Sequence, residues 1–343
     1  MKKVWLALSL CRVLAAEPVA VPVDASYSLP GRLDVPAGAR GVVVLIHGSG
    51  ANNMDEELAE ATREQQPNPF FADLSLALQA QRLAVLRYDK RSYALARQSA
   101  EGPLKSLLEH PALAFIQDAA SAVQLARSRC PGLPVFLVGH SEGTWVAQQV
   151  ARQDGKIAGL GLIGTTGNPL ESLVLEQVAY RSLDYFYDLD KNHNLMLEPS
   201  ELNATLVPQM AILDVDRDGC LSRSEFQGGN WSNLLLRPLV SDAWRRDEAS
   251  LPTPAQMLEQ SSCPIVFLQG EWDNQTPAYF VKAVEICETS VWRKGNKRFV
   301  YFPKCGHALD PRDRYDDIIY RRPSKATFDR AASELVRFWF KSE

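Results

Sequence analysis

Six short apolar runs rich in β-branched residues recur along the chain, at Gly41–Ile46, Leu83–Tyr88, Pro134–Val138, Ile157–Ile163, Pro264–Leu268 and Arg298–Phe302. Runs apolar at consecutive rather than alternate positions are strands covered on both faces, and helices must supply the cover. The stretches between them can do so. At Phe70–Gln81, Ala112–Arg127 and Pro277–Glu288 apolar residues return at three- and four-residue steps, and Pro277 suits a helix start. Buried strand alternating with helix predicts an α/β chain with a mostly parallel central sheet flanked by helices. At 343 residues, 46% hydrophobic and 23% charged, the chain can fill one large core with a small insert, which excludes disorder.

The alternation stops between Thr166 and Ser262. That region has no clear strand, carries two acidic loop patterns and several tryptophans, and returns to the run at Pro264. It reads as a helical insertion, 166–262, dividing a core made of 17–165 and 263–343. In open α/β sheets ligands bind beyond the carboxyl ends of the strands, so an insertion leaving such an end is placed to act as a lid.

The first residues have the form of an export signal, 1–16: Lys2 and Lys3, an apolar run from Val4 to Leu10, and Val13-Leu14-Ala15 near a cleavage point, with Arg12 weakening the pattern. The expected location is therefore periplasmic or secreted. The apolar run is too short to span a membrane, and no later segment reaches about 18 uninterrupted apolar residues. A net charge of −4 gives no basic surface for nucleic acid. Once Cys11 leaves with the signal, Cys130, Cys220, Cys263, Cys287 and Cys305 remain, in no zinc or redox spacing; buried thiols with one or two disulfides are expected.

Gly139-His140-Ser141-Glu142-Gly143 follows the run ending at Val138 and precedes a helical segment from about Thr144. The bare Gly-x-Ser-x-Gly pattern arises by chance in on the order of one chain in ten of this size. The strand before it and the helix after it carry the weight, because a nucleophile in a sharp strand-to-helix turn is presented at the sheet edge. Serine needs a histidine to take its proton and a carboxylate to orient that histidine. Of the five histidines, His307 alone follows a strand candidate late in the chain, in Lys304-Cys305-Gly306-His307-Ala308. Asp273, in Gln269-Gly270-Glu271-Trp272-Asp273, follows the preceding strand; its competing reading is a cap for the helix at Pro277. After Gly41–Ile46 comes His47-Gly48-Ser49-Gly50, where the backbone N–H of Ser49, with that of Glu142, can face a developing oxyanion; the His47 side chain is read as structural.

On these motifs the chain resembles the α/β-hydrolase superfamily. From His47 to Tyr93, with HGSG followed by Ala84-Val85-Leu86-Arg87-Tyr88-Asp89-Lys90-Arg91, it is similar to bacterial serine esterases with dienelactone-hydrolase-like relatives. The resemblance spans Ser28 to Thr166 and Ser262 to Phe340. It implies hydrolysis of carboxylic esters, with a small or medium acyl ester as the expected substrate, through an acyl-enzyme on Ser141, Asp273 and His307. The elbow departs from the family by ending Ser-Glu-Gly-Thr, and Asp89, Lys90 and Arg91 are read as an ion-pair cluster. A peptidase or thioesterase would use the same triad. A calcium-dependent binding module on an inactive scaffold is the alternative of another class, and the complete catalytic set argues against it.

The insertion carries a second signal. Residues 214–225 place Asp214, Asp216 and Asp218 at loop positions one, three and five, Gly219 at six, Leu221 at eight and Glu225 at twelve, the EF-hand calcium pattern, with the Cys220 carbonyl at seven as a further ligand. Residues 190–201 repeat it in degenerate form: Asp190, Asn192, Asn194, the Met196 carbonyl and Glu201 are the ligands, and Leu195 stands where glycine belongs. The two loops resemble an EF-hand pair joined by one shared helix over Pro199–Leu213. Calcium is the expected cofactor, bound at loop 214–225 and more weakly at loop 190–201, in a structural role clamping the lid, with regulation as the alternative; no organic cofactor is expected.

Overall fold

The computed structural model describes residues 14–58, 67–202, 206–228, 240–315 and 320–341. Residues 1–13, most of the expected export signal, lie outside them. The strands are, in chain order, β1 (Leu14–Pro22), β2 (Ser28–Val35), β3 (Gly41–Ile46), β4 (Leu83–Tyr88), β5 (Val135–His140), β6 (Ile157–Ile163), β7 (Met196–Leu197), β8 (Leu221–Ser222), β9 (Ile265–Gly270) and β10 (Lys297–Phe302). Eight of these form the central sheet, in spatial order β1-β2-β4-β3-β5-β6-β9-β10. The pairs from β4 to β10 are parallel; β1–β2 and β2–β4 are antiparallel. Every residue of β3, β4, β5 and β9 is buried, in keeping with their largely apolar runs, and the burial includes the polar Arg87, His140 and Gln269 toward the carboxyl ends of β4, β5 and β9.

The sheet has two strands beyond the six read from sequence. In β2 the burial alternates, with Ser28, Pro30 and Arg32 outward, so no continuous apolar run marks it. The start of β1 coincides with the tail of the export pattern; its pairing with β2 is regular from Glu17 onward, after an irregularity between Leu14 and Glu17.

Helices cover both faces. α1 (Phe70–Ala80) and α11 (Lys325–Trp339) close one side, where Phe70, Leu74, Phe328 and Leu335 pack on Val85, Val138 and Val266. α4 (Pro111–Arg129), α5 (Glu142–Gln153) and α10 (Tyr279–Cys287) close the other. Two short helices, α2 (Arg91–Arg97) and α3 (Glu101–Glu109), lead from β4 into α4.

The insertion begins with α6 (Leu170–Leu189), a 20-residue helix leaving the β6 end of the sheet. The two acidic loops follow, then α8 (Asp242–Ala249) and α9 (Pro254–Gln260); α7 (Met210–Leu213) lies between the loops. Two expectations are corrected. The region does hold strands: β7 and β8 pair antiparallel, matching Leu197 with Leu221. No single helix over Pro199–Leu213 joins the loops, because Pro208 sits in a 3₁₀ turn at Val207–Gln209 and α7 has only four residues. A separate small core of Phe186, Leu189, Leu197, Leu206, Leu213, Leu221 and Phe226 holds the loops together. The insertion is tied to the core by α8, where Asp247 accepts from the Ala112 and Leu113 amides at the start of α4; within the insertion, Glu248 accepts from the Leu170 amide at the start of α6. No helix of the described residues is long and apolar enough to cross a membrane.

Candidate active site

Ser141 occupies the turn between β5 and α5 with φ 53°, ψ −122°, a strained conformation for a residue bearing a side chain. Its N–H is held by the Ile163 carbonyl of β6 at 2.9 Å. The turn can be this tight because Gly143 has no side chain: a Cβ there would lie 2.1 Å from the Ile46 carbonyl oxygen. Ser141 is thereby raised at the carboxyl edge of the sheet, at the start of α5.

Asp273 follows β9, and His307 follows β10. The His307 Nδ1 lies 2.9 Å from Asp273 Oδ2 and 3.1 Å from Thr276 Oγ1. Asp273 is fully buried and also accepts from Gln269 Nε2, the Gln275 and Thr276 amides, and Thr276 Oγ1. Burial by itself drives its carboxyl upward, but the His307 charge and these hydrogen bonds outweigh it and hold the group at about 2. The cap reading of Asp273 is true in part, since its oxygens bind the turn entering α10; the same carboxylate also orients His307. Among the described residues no hydrogen bond joins Ser141 Oγ to His307, a contact that commonly tightens only with substrate.

Sequence reasoning missed three residues of this constellation. Gln269 and Thr276 fix the acid, and Gly164 lies against the His307 ring with φ +58°. Their polar or small side chains have no distinguishing spacing. A second buried pair was also missed: His140 Nδ1 lies 3.0 Å from Glu56 Oε1, and the His140 ring centroid is 4.9 Å from that of His307. Burial would lower the His140 pKa, but Glu56 overrides it and raises it. His47 is buried, and desolvation lowers its pKa to about 4.

The loop after β3 approaches the serine closely, since a Cβ on Gly48 would lie 3.1 Å from Ser141 Cβ. Glu56 Oε1 takes the Gly48 N–H at 2.7 Å, which leaves the Ser49 N–H as the next donor along the loop. Glu142 is the first residue of α5, so its N–H belongs to the unpaired first turn.

Residues 43–319 match the alpha/beta hydrolase family. The chain belongs to that family. Over 171 residues this hydrolase is 30% identical to Esterase EstD of Thermotoga maritima, an alignment covering 49% of the chain and 38% of that relative. It therefore spans well under half the length of the curated relative it matches. In fold it is similar to Est1E from Butyrivibrio proteoclasticus (TM-score 0.50, 14% identity, 93% of this chain and 98% of that one). It is also similar to a puromycin-hydrolyzing peptidase of Mycobacterium tuberculosis (TM-score 0.54, 13% identity, 95% and 39%). At such identities these structures speak to fold alone.

The hydrolase's two acidic loops have the same hydrogen-bond scheme, position by position. Asp214 Oδ2 accepts from the Gly219 N–H and Asp190 Oδ2 from the Leu195 N–H; Glu225 Oε1 accepts from Val215 and Glu201 Oε1 from Lys191. Leu195 adopts φ 65° where Gly219 has φ 87°, so the missing glycine does not change the turn. Carboxylate oxygens of Asp214, Asp216 and Asp218 lie within 4.8 Å of one another. Hydrogen bonds from Ser222, with the Asp216 and Val215 amides, bring the Glu225 carboxyl to about 2, so it is ionised at any working pH. Cys130, Cys220, Cys263, Cys287 and Cys305 are all unpaired, in place of the one or two disulfides expected.

Proposed function

We propose that this hydrolase is a serine esterase cleaving small carboxylic esters through an acyl-enzyme, with Ser141 as nucleophile, His307 as general base and Asp273 as its orienting acid. The observation that carries the reading is the buried His307–Asp273 pair beside a serine held in a strained strand-to-helix turn. Asp273 fixes the proton on Nδ1, so Nε2 is the nitrogen that takes the Ser141 proton as Oγ attacks the ester carbonyl. The oxyanion that forms is met by the Ser49 and Glu142 amides, and His307 returns the proton to the departing alcohol. Water, deprotonated by the same histidine, then releases the acid. A peptidase or thioesterase would use the same groups. Nitrophenyl esters of graded acyl length, assayed with Ser141→Ala as control, test the proposal: turnover abolished in the variant is expected, and no turnover with any ester refutes the esterase reading.

The same proposal includes an EF-hand pair binding calcium in the insertion. The fit rests on the donor chemistry: oxygen ligands from Asp214, Asp216, Asp218, the Cys220 carbonyl and Glu225, and in the first loop from Asp190, Asn192, Asn194, the Met196 carbonyl and Glu201, wrap a hard cation. The position-eight pairing of Leu197 with Leu221 supports it, because it joins the loops into one unit. Calcium bound there would clamp the insertion, whose α6 donates from Gln177 Nε2 to the Gln275 carbonyl beside the catalytic acid. Export to the periplasm or the medium, where calcium is millimolar, completes the proposal; a mature chain beginning at or near Glu17 is the expected mass-spectrometric result.

A further inference from the structure

We propose that Lys90 is a positioning residue of the oxyanion hole, an assignment resting on the serine-esterase reading above. Lys90 Nζ donates to the Gly48 carbonyl at 2.6 Å and to Glu142 Oε1 at 2.8 Å. Both side chains are almost fully buried, at 6% and 7% exposure, and the ammonium lies 4.4 Å from the centre of the Phe115 ring. A buried ion pair of this kind is a poor source of stability, because desolvating both charges costs about as much as their attraction returns. Its placement points to another role.

The Gly48 carbonyl and the Ser49 N–H belong to one planar trans peptide, so they point in opposite directions. Gripping the oxygen from one side fixes where the hydrogen points on the other. Lys90 is helped by Asn52, whose Nδ2 donates to the same oxygen at 3.0 Å. A cation on the carbonyl also polarises the peptide and strengthens its N–H as a donor. The preceding peptide is held in turn by Glu56, which accepts the Gly48 N–H. Through its second bond Lys90 holds the side chain of Glu142, whose own amide is the other donor. One ammonium thus joins the β3 loop to the nucleophile turn and sets both donors before charge develops, which is where oxyanion stabilisation derives its strength. The turn carrying Lys90 is anchored to the same loop: the Lys90 N–H donates to the Asn52 carbonyl at 3.0 Å, and Asp89 accepts from the Met54 amide at 2.8 Å.

The test compares kcat, KM and the inhibition constant of an aryl boronic acid, which forms a tetrahedral adduct with the serine, in wild type, Lys90→Met, Asn52→Ala and Lys90→Met/Glu142→Gln. The double variant guards against misfolding, since Lys90→Met alone leaves a buried carboxylate without its partner. The expected result is a fall in kcat of about tenfold to a hundredfold in both Lys90 variants, KM within about twofold, and boronate affinity lost in the same proportion as kcat/KM. Asn52→Ala should show a smaller loss of the same form. A double variant that melts with wild type and keeps its kcat and boronate affinity overturns the assignment, as does a fall in kcat with boronate affinity unchanged. The underlying reading is judged separately, by whether boronate inhibition of the wild type vanishes in Ser141→Ala.

Discussion

Replacing Gly164 with alanine would test whether the His307 ring is held by the backbone leaving β6. A Cβ at Gly164 would lie 2.8 Å from His307 Nδ1, 2.9 Å from Cε1 and 2.9 Å from the His307 carbonyl oxygen. Ordinary contact needs about 3.5 Å or more, so the ring or the strand end must yield by roughly 0.7 Å. The ring has little room, because its Nδ1 is committed to Asp273 at 2.9 Å and to Thr276 at 3.1 Å. A misplacement of about 1 Å in a reacting group costs on the order of a hundredfold in rate, and kcat for ester hydrolysis should fall by about thirtyfold to a hundredfold. The φ of +58° adds backbone strain of about 1–2 kcal/mol for any side chain, read as a melting temperature lower by roughly 2–8 °C. Gly155→Ala is the control, since its Cβ would meet nothing within 4 Å and its rate should stay at the wild-type value. Gly164→Ala with kcat within about twofold of wild type would refute the claim that this contact positions the base.

Asp273→Asn should lower kcat by about a thousandfold or more, as the imidazole loses its fixed tautomer. It should also flatten the acid limb of stability. The folded pKa of Asp273 is depressed from 3.8 to about 2, so its contribution is present above pH 3.8 and is lost as pH falls through 2. That shift amounts to about 2 kcal/mol, and an unchanged profile between pH 4 and 2 in denaturant titrations would contradict it. For calcium, titration calorimetry should show binding heat, and calcium at about a hundred times Kd should add about 2.7 kcal/mol of stability per site. Glu225→Gln, which removes a bidentate ligand, should abolish the second loop's heat; absence of heat and of any melting shift in the wild type would sink the assignment.

The strands β3, β4 and β6 were legible to the residue because both faces are covered and their runs are therefore predominantly apolar, with Arg87 near the end of β4 as the charged exception. β1 and β2 were not, since edge-ward antiparallel strands expose one face and mix Pro, Arg and Ser into their runs. In the candidate site, Ser141, Asp273 and His307 could be singled out because each follows a recognisable strand, and the structure brings Asp273 and His307 together. Gln269, Thr276, Glu56 and Gly164 act through distances across the sheet edge, which no local pattern encodes. Lys90 shows the intermediate case: its charge invited an ion-pair reading, and the pair exists, but its partner Glu142 lies across the fold and its grip on the Gly48 carbonyl leaves no trace in residue type.

The topology also explains how a site this tight accommodates a large insertion. The chain leaves the core after β6 and returns at β9, and these strands are neighbours in the sheet, with Ile163 beside Leu268. Because the pairing is parallel, the insertion leaves from the carboxyl end of β6 and returns to the amino end of β9, crossing the length of the sheet, and the entropy of closing so long a connection grows only slowly with its length. The insertion brings its own apolar cluster around Phe186, Leu197, Leu221 and Phe226, so its loops do not depend on the central core for burial. Gly164, the first residue past β6, remains against His307, so the border where the insertion leaves the core lies at the edge of the candidate site, whereas its return enters β9 from the opposite edge and reaches Asp273 only past that strand's carboxyl end. A clamp acting on the insertion would be felt where α6 meets the acid loop, through the Gln177–Gln275 and Glu176–Tyr279 contacts, while Ser141 itself stays anchored to β6 by the Ile163 carbonyl.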